Sequence, residues 1–479
     1  MPLADSILDI SRGAVVAPAG CGKTQLITDA LAGLGARLPT LVLTHTNAGV
    51  AALRARLLGA GVPAKAYRIM TLDGWAMRLA STFPMRSGLS MSALELRDTE
   101  RDYPALREAA VRLVKAGHLA DLLRTTYDRI IVDEYQDCNV SQHALVRHAS
   151  AALPTVVLGD PLQAIFGFGG NILPDWQSEV CTDFPVVATM DVPWRWVNAG
   201  RPELGEWLLS TRATLSAGLS IDLTTAPGSV RWVQLTGNAN RDRTLQLNAA
   251  RTRLPDAAAR ALILADSRRP TQQRQVACQT FGAMTVESVE LGDLILFAEA
   301  LDAAIDGAGM CKRVVEFAGS VMTNVGATKF ISRIETLRRG RPRKEPNMAE
   351  AAALRLCADP SASRALDLLS ALTGTKDARV YRPTLLRTAF AMLRAQQENS
   401  TRRFAETARI VREDERAGRR RVSSRAVGST LLLKGLEADI AVVLNAATMD
   451  ANNLYVAMTR GAKCLVICSA SSRVGGIAG

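Results

Sequence analysis

The chain has 479 residues, of which 48% are apolar and 22% charged, an ordinary globular balance that excludes disordered, collagen-like and coiled-coil architectures. Its length allows about three or four domains. The formal charge of +12 favours polyanionic partners, nucleic acid before acidic membrane. The basic residues are 49 Arg against 9 Lys, a skew that codon composition produces as readily as selection for phosphate contacts.

Met1–Gly13 carries acidic residues early and lacks the apolar core of a signal peptide. Ala14–Val16 then reads as a buried strand and Lys23–Leu34 as the helix after it, followed by a strand at Leu41–Leu43 and a helix at Ala48–Leu58. Arg129–Val132 and Thr155–Leu158 are further apolar strand runs, each followed by polar residues. The pattern returns at Ala261–Leu264, Ile440–Leu444 and Cys464–Cys468. The intervening stretch, from about 285 to 420, is helical and rich in Arg. This order predicts two α/β domains with parallel sheets, each interrupted by a helical insertion, with ligand loops at the strand C-termini. The eight Cys form no Cys-x-x-Cys pair and have no His near enough for a zinc site; Cys464 and Cys468 sit in an apolar run as packing residues. A reduced, cytoplasmic chain is expected. No run of 18 apolar residues is present, so no membrane partner is expected.

The charge is localised. Residues 331–425 hold 22 Arg or Lys against 11 Asp or Glu, almost the whole surplus. Two clusters stand out, Arg338-Arg339-Gly340-Arg341-Pro342-Arg343-Lys344 and the run from Arg402 to Arg425 centred on Arg419-Arg420-Arg421. Each is compatible with a solvated face or with a surface that tracks phosphates. The first also resembles the Arg-Gly-Arg-Pro core of minor-groove hooks.

Ala17-Pro18-Ala19-Gly20-Cys21-Gly22-Lys23-Thr24 follows a strand and opens a helix, the setting of a phosphate-cradling loop. Lys23 is placed to reach β/γ-phosphate oxygens and the Thr24 hydroxyl to ligate Mg²⁺. Ile130–Val132 delivers Asp133 and Glu134 to the sheet edge, where Asp133 suits Mg²⁺ and Glu134 suits activation of a water. A phosphate loop with paired acids after a strand predicts an NTP hydrolase.

With the remaining motifs, the string Val132-Asp133-Glu134-Tyr135-Gln136-Asp137 resembles the superfamily 1A helicases of the UvrD/Rep/PcrA type, over about 1–195 and 425–479. The resemblance implies two RecA-like parallel-sheet P-loop domains: 1–75 with 121–190 as the first, ATP-binding domain, 191–284 with 422–479 as the second, a reduced helical insertion at 76–120 and a basic one at 285–421. It implies ATP as fuel with Mg²⁺, Ala19–Thr24 cradling the phosphates, and Gln163 and Arg195 at the γ-phosphate. Trp194 then stacks on the nucleobase, Gly435 and Glu437 belong to the motif that holds the ribose, and Arg460 is an arginine finger supplied by the second domain. DNA contacts are implied for Thr44, His45, Thr46, Asn47, Trp75, Phe166, Phe168, Ser429 and Thr430. For Trp75 and the two Phe residues, core packing is the competing explanation; the glycines beside Phe166 and Phe168 favour an exposed loop.

The chain departs from the family pattern in several places. No Gln-containing motif precedes Lys23, which leaves the preference for adenine open, and Gly167 and Gly169 stand where the family has Arg. The trimmed insertions resemble the UvrD-like partner proteins of anti-phage systems such as Gabija, in which a nuclease acts alongside. The resemblance thus implies an ATP-dependent translocase and helicase on single-stranded DNA or a tailed duplex, with 3′→5′ polarity. The alternative is an ATP-gated DNA-binding subunit that recruits or regulates a partner nuclease in defence or repair. A small-molecule kinase would leave the later motifs and the basic region without a role.

If the central basic cluster tracks phosphates, neutralising Arg419, Arg420 and Arg421 to Gln flattens the slope of log affinity for DNA against log salt by about 0.7 per lost contact on a single strand. A salt titration by fluorescence anisotropy checks this, and an unchanged slope returns the cluster to ordinary surface.

Overall fold

The computed structural model describes residues 7–33, 38–90, 93–94, 96, 99–288, 290–340, 344–416 and 423–476. Arg341, Arg343 and Arg419–Arg421 lie outside the described residues. The chain forms two compact units: Met1–Val230 with Met449–Lys463 and Ser472–Gly479, and Arg231–Thr448 with Cys464–Ser471.

The first unit is built on β1 (Arg12–Val16), β2 (Thr40–Thr44), β3 (Tyr67–Thr71), β4 (Ile130–Val132), β5 (Thr155–Gly159) and β6 (Val186–Thr189). They lie in the order β3-β2-β4-β5-β1-β6, and every pairing is parallel. Such strands are covered on both faces, which is why they read as continuous apolar runs. The period of two then divides their side chains. Leu41, Leu43, Ile130, Val132 and Val157 pack on one face with Trp75, Leu79 and Leu113. Val42, Ile131, Val156 and Leu158 pack on the other with Leu26, Ile27 and Leu53. Because the strands are parallel, the chain leaves them all at one edge, and Ala17, His45, Leu72, Asp133 and Asp160 begin the loops or helices there.

The helices of this unit start on polar caps. Thr46 accepts from Gly49 N at 3.0 Å to open α2 (Asn47–Gly59), after α1 (Lys23–Ala32). Thr71 accepts from Gly74 N at 3.0 Å to open α3 (Leu72–Thr82). Asn139 and Gln142 form a reciprocal capping box at the start of α5 (Val140–Ala149), after α4 (Thr99–Lys115). Asp73 receives Arg107 Nε and Nη2, both at 2.7 Å, and Gln142 Nε2 at 2.8 Å, joining α3, α4 and α5. Burial alone would raise this carboxyl, but the guanidinium and the amide outweigh it and hold it below the usual range.

The second unit contains a sheet in the order β10 (Ala283–Thr285), β11 (Arg425–Ser429), β9 (Ala261–Ala265), β12 (Ala438–Val443), β13 (Gly461–Ser469), β8 (Val230–Gln234). Strands β10, β11, β9 and β12 pair in parallel. Cys468 is buried in this sheet's core and Cys464 packs against it, both as free thiols. The rest of the unit is a separate helical cluster spanning 292–416, whose Leu- and Ala-rich faces bury Leu294, Val314, Leu356, Leu368 and Leu385. Small residues permit close crossings here: a Cβ on Gly307 would lie 2.3 Å from the Cys357 carbonyl oxygen.

Sheet and cluster are joined by charge. Arg382, 2% exposed, donates to Glu287 Oε1 and Oε2 at 2.7 Å and to Asp293 Oδ2 at 2.6 Å, while Arg274 reaches the same Asp293 oxygen at 2.6 Å. Arg379 donates to the carbonyls of Ala277, Cys278 and Ala283 at the sheet. Breaking a buried pair leaves its partner charge uncompensated, so Arg382→Ala should destabilise the second unit by about 3–5 kcal/mol. Urea denaturation reads this as a lower midpoint; an unchanged midpoint would remove Arg382 from its structural role.

Candidate nucleotide and nucleic-acid site

The phosphate loop runs from the end of β1 into α1. Gly20 and Gly22 adopt φ of 72° and 90°, a region that glycine reaches without strain. Space adds a second reason at Gly20, where a Cβ would lie 2.5 Å from the Trp196 ring. Ala17 N donates to Gly159 O at 2.9 Å, which fixes the loop's entry to β5. Cys21 is buried inside the loop, and burial followed by the Asp160 charge pushes its thiol up to about 12.

Lys23 Nζ lies 2.8 Å from Glu134 Oε1 and 3.5 Å from Asp133 Oδ1. Burial opposes the ammonium charge, but the two carboxylates outweigh it and hold Lys23 above the ordinary lysine range. Burial drives Asp133 upward, with Lys23 opposing and Glu134 reinforcing the shift. Glu134 has φ of 56°, rare for a residue with a side chain, and its amide donates to Asp133 Oδ1 at 2.9 Å. Gln136 Nε2 donates to Glu134 Oε2 at 2.6 Å, while Gln136 Oε1 accepts from Asp160 N at 3.1 Å. One amide thus ties the carboxylate loop to the end of β5. Gly159 makes room for it, since a Cβ there would lie 2.8 Å from Gln136 Oε1.

Gln163 Nε2 donates to Asp160 Oδ2 at 3.0 Å, and Asp160 Oδ1 receives Arg212 Nη2 at 2.9 Å and Nε at 3.1 Å. Arg212 lies on α6 (Pro202–Ser216). Burial works against its charge, but Asp160 outweighs it and raises the guanidinium further. Sequence reasoning missed Arg212, which stands in no motif, and quoted Gln136 within the acidic string without giving it a role.

Residues 451–463 fold with this unit. Arg195 N donates to Gly20 O at 3.0 Å, and its Nη1 donates to Thr459 O at 2.6 Å. Trp196 is buried, and its Nε1 donates to Gly461 O at 2.9 Å. On α7 (Ala451–Met458), Asn452 Nδ2 donates to Ala164 O at 2.9 Å, and the buried Tyr455 hydroxyl meets the Ala19 amide. Arg460 is 4% exposed, with Nε donating to Val456 O at 2.8 Å and Nη2 to Thr459 Oγ1 at 3.0 Å. Trp194 is 40% exposed, its ring beside Gly22.

On the nucleic-acid side, His45 and Phe166 have ring centroids 5.1 Å apart, and Phe166 and Phe168 are stacked at 6.5 Å. Phe168 is 55% exposed. Asn171 pins this loop, donating from Nδ2 to Phe166 O at 2.9 Å and accepting from Asn139 Nδ2 at 3.0 Å. Thr44 is buried at the end of β2, Thr46 is spent as a helix cap, and Asn47 is exposed beside it.

Four of the residues expected to contact DNA are buried, Thr44 among them. Trp75 is 0% exposed, one of the largest side chains in the sheet's core, and presents no face to a base. Ser429 and Thr430 are buried in the second unit, and Ser429 Oγ caps a short helix by accepting from Leu432 N at 3.3 Å, so neither hydroxyl lies open to a phosphate. Gly435, at φ of 80°, and Glu437 are exposed in the second unit.

Residues 96–173 match the family model described as UvrD/REP helicase N-terminal domain. Over this stretch the chain is similar to the UvrD/Rep helicases. The matched stretch contains Asp133, Glu134, Gln163, Phe166 and Phe168, while the phosphate loop precedes it. Comparison with curated proteins finds no match. Among the described residues, no helix of this UvrD-like chain is long and apolar enough to cross a membrane.

A further buried relay supports the acidic loop. Tyr135 hydroxyl lies 2.8 Å from His143 Nδ1, and His143 Nε2 lies 3.1 Å from Asp183 Oδ2, which Arg12 and Arg147 also approach. Burial lowers the His143 pKa below its ordinary 6.5, with Asp183 and, more weakly, Glu179 opposing and Arg147 reinforcing. Unfolding therefore takes up a proton below about pH 6.5, so stability falls as pH drops from there through the folded-state value. Thermal unfolding between pH 7 and 5 should show this loss, reduced in His143→Gln; equal slopes would exclude His143 as its source.

Proposed function

We propose that this protein is an ATP-driven translocase and helicase on single-stranded DNA with 3′→5′ polarity. The observation that carries it is the cluster of Lys23, Asp133 and Glu134 on the same sheet edge that bears His45 and, beyond β5, the Phe166–Phe168 loop. Hydrolysis and strand contact then share one rigid support. Gly20, Gly22 and the start of α1 cradle the phosphates with Ala19 and Cys21, and Lys23 turns from the carboxylates to the β/γ oxygens. Thr24 and Asp133 would hold Mg²⁺, which neutralises phosphate charge when bound. Glu134 orients and deprotonates the attacking water, with Gln136 fixing its carboxylate. Gln163, Arg195 and Arg460 sense and stabilise the γ-phosphate, and Trp194 stacks on the base. Gly435 and Glu437 take the role that the family resemblance assigns them. Phe166, Phe168 and His45 stack on bases of the strand, each worth about 1–3 kcal/mol.

A second reading is an ATP-gated DNA-binding subunit acting with a nuclease. It is favoured by the burial of Trp75 and by Gly167 and Gly169, which offer no charge to phosphate. Strand displacement on a 3′-tailed duplex separates the two readings, because robust unwinding by the isolated chain defeats the second.

Single-stranded DNA should stimulate ATP hydrolysis, and equal rates with and without long single strands would defeat the translocase reading. Lys23→Ala should lose nucleotide binding or turnover. Glu134→Gln should still bind ATP while its kcat falls by about 10²–10⁴-fold. Normal turnover in that variant would remove Glu134 from its role.

A further inference from the structure

The second unit contains a cavity of about 450 Å³ that no motif in the sequence marks. It lies where β9 and β12 end, between α8 (Ala239–Ala250) and α9 (Pro270–Gln279). Parallel strands put their C-termini on one edge, the usual position for a ligand in such sheets. The volume suits a small molecule of nucleotide size. Leu235, Val276 and Leu444 give it an apolar lining.

The polar lining has a defined character. Two carboxylates line the cavity; Asp242 is held by neutral donors and keeps its charge, while Asp266 is paired with Arg268. Asp242 accepts from Thr236 N at 2.6 Å, Thr236 Oγ1 at 2.9 Å and Gly237 N at 3.1 Å. Asp266 accepts from Arg268 N at 2.9 Å and Nε at 3.1 Å. Two guanidiniums, Arg243 and Arg269, also line it, and among the described residues neither side chain has a hydrogen bond or an ion pair. With Asp266 paired to Arg268, Arg243 and Arg269 stand against the single charge of Asp242, which leaves the lining positive. On α9, Gln272, Gln275 and Gln279 recur on one helical face with Val276 and present amides to the same space. Gln246 is fixed by donating to Leu444 O at 2.7 Å, and it accepts from Gln272 Nε2 at 3.3 Å. Gln272 is thereby oriented, with its own oxygen unused.

Amides offer a donor and an acceptor side by side, the pairing that base edges require. Guanidiniums suit phosphate oxygens. We propose that this cavity binds a phosphorylated nucleoside, its base against the α9 amides and its phosphate between Arg243 and Arg269. No residue of the phosphate loop lines the cavity, and the proposal does not rest on the helicase reading. The ligand is either a free mononucleotide or one nucleotide of a bound strand.

Equilibrium dialysis of the full chain with labelled AMP tests it, since AMP lacks the β- and γ-phosphates that Lys23 addresses. One AMP per chain is expected in the wild type and in Lys23→Ala. Affinity should fall by about tenfold or more in Arg243→Glu with Arg269→Glu, and likewise in the charge-neutral pair Gln275→Leu with Gln279→Leu. If the nucleotide comes from a strand, the wild type binds no AMP, and both double variants instead bind a short oligothymidylate about tenfold more weakly. The neutral pair separates recognition from bulk charge, and matched thermal melts show that the exposed substitutions leave the fold intact. AMP binding that disappears in Lys23→Ala would overturn the site. So would double variants that bind both probes as the wild type does.

Discussion

A buried lysine held between two carboxylates is the interaction on which this molecule turns. Bringing Lys23 and Asp133 out of water costs several kcal/mol per ion, Glu134 stays partly exposed, and one ammonium cannot balance two carboxylates. A cluster of this kind is poor as a structural staple. Under the proposed function it is a resting state that exchanges partners, with lysine released to phosphate and the acids to a cation and a water. The fold supplies the rigidity that such a site requires. β5 stands between β1 and β4, so the phosphate loop and the acids leave the sheet on either side of it. Asp160, at the end of β5, is then the natural node, and Gln136, Gln163 and Arg212 all converge on it.

The same site depends on the far end of the chain. Tyr455, Thr459 and Gly461 meet Ala19, Arg195 and Trp196, and Asn452 holds the loop that begins at Pro161. The phosphate loop is therefore completed by contacts of very large sequence separation, which form late and cooperatively. Trp196 shows how tightly this is specified. Its ring occupies the space that a side chain at Gly20 would need, and its indole N–H is answered by the Gly461 carbonyl. A glycine that looks like a simple phosphate-loop requirement is also a packing requirement, set by a segment more than four hundred residues later in the chain.

Much of this was legible in the sequence because parallel strands buried on both faces must be continuous apolar runs. Ala14–Val16, Leu41–Leu43 and Thr155–Leu158 fall within observed strands, as do Ala261–Leu264 and Cys464–Cys468, while Arg129–Val132 and Ile440–Leu444 each overrun their strand by one residue. The loops after them could be read from chemistry, since Lys23 and Asp133 have few other uses in that setting. The supporting residues were not legible. Gln136, Arg212 and Asn171 have ordinary identities and acquire roles only from distant partners. The Tyr135–His143–Asp183 relay is likewise invisible until α5 is packed against the acidic loop.

The aromatic residues show where local pattern decides. Leu72, Trp75, Ala76 and Leu79 recur at the spacing of one helical face, and all four are buried against the sheet. That stripe argues for a core position at Trp75 more strongly than any motif argues for a base contact. Phe166 and Phe168 have no such stripe. They alternate with Gly167 and Gly169 in a loop with no regular repeat, held by backbone and amide bonds rather than by apolar packing, and Phe168 remains half exposed. Trp194 and Trp196 divide in the same way over two residues, one ring exposed beside Gly22 and the other buried beneath Gly20. An aromatic ring is free to meet a ligand where its backbone is fixed by polar groups and its ring is not needed to fill a core.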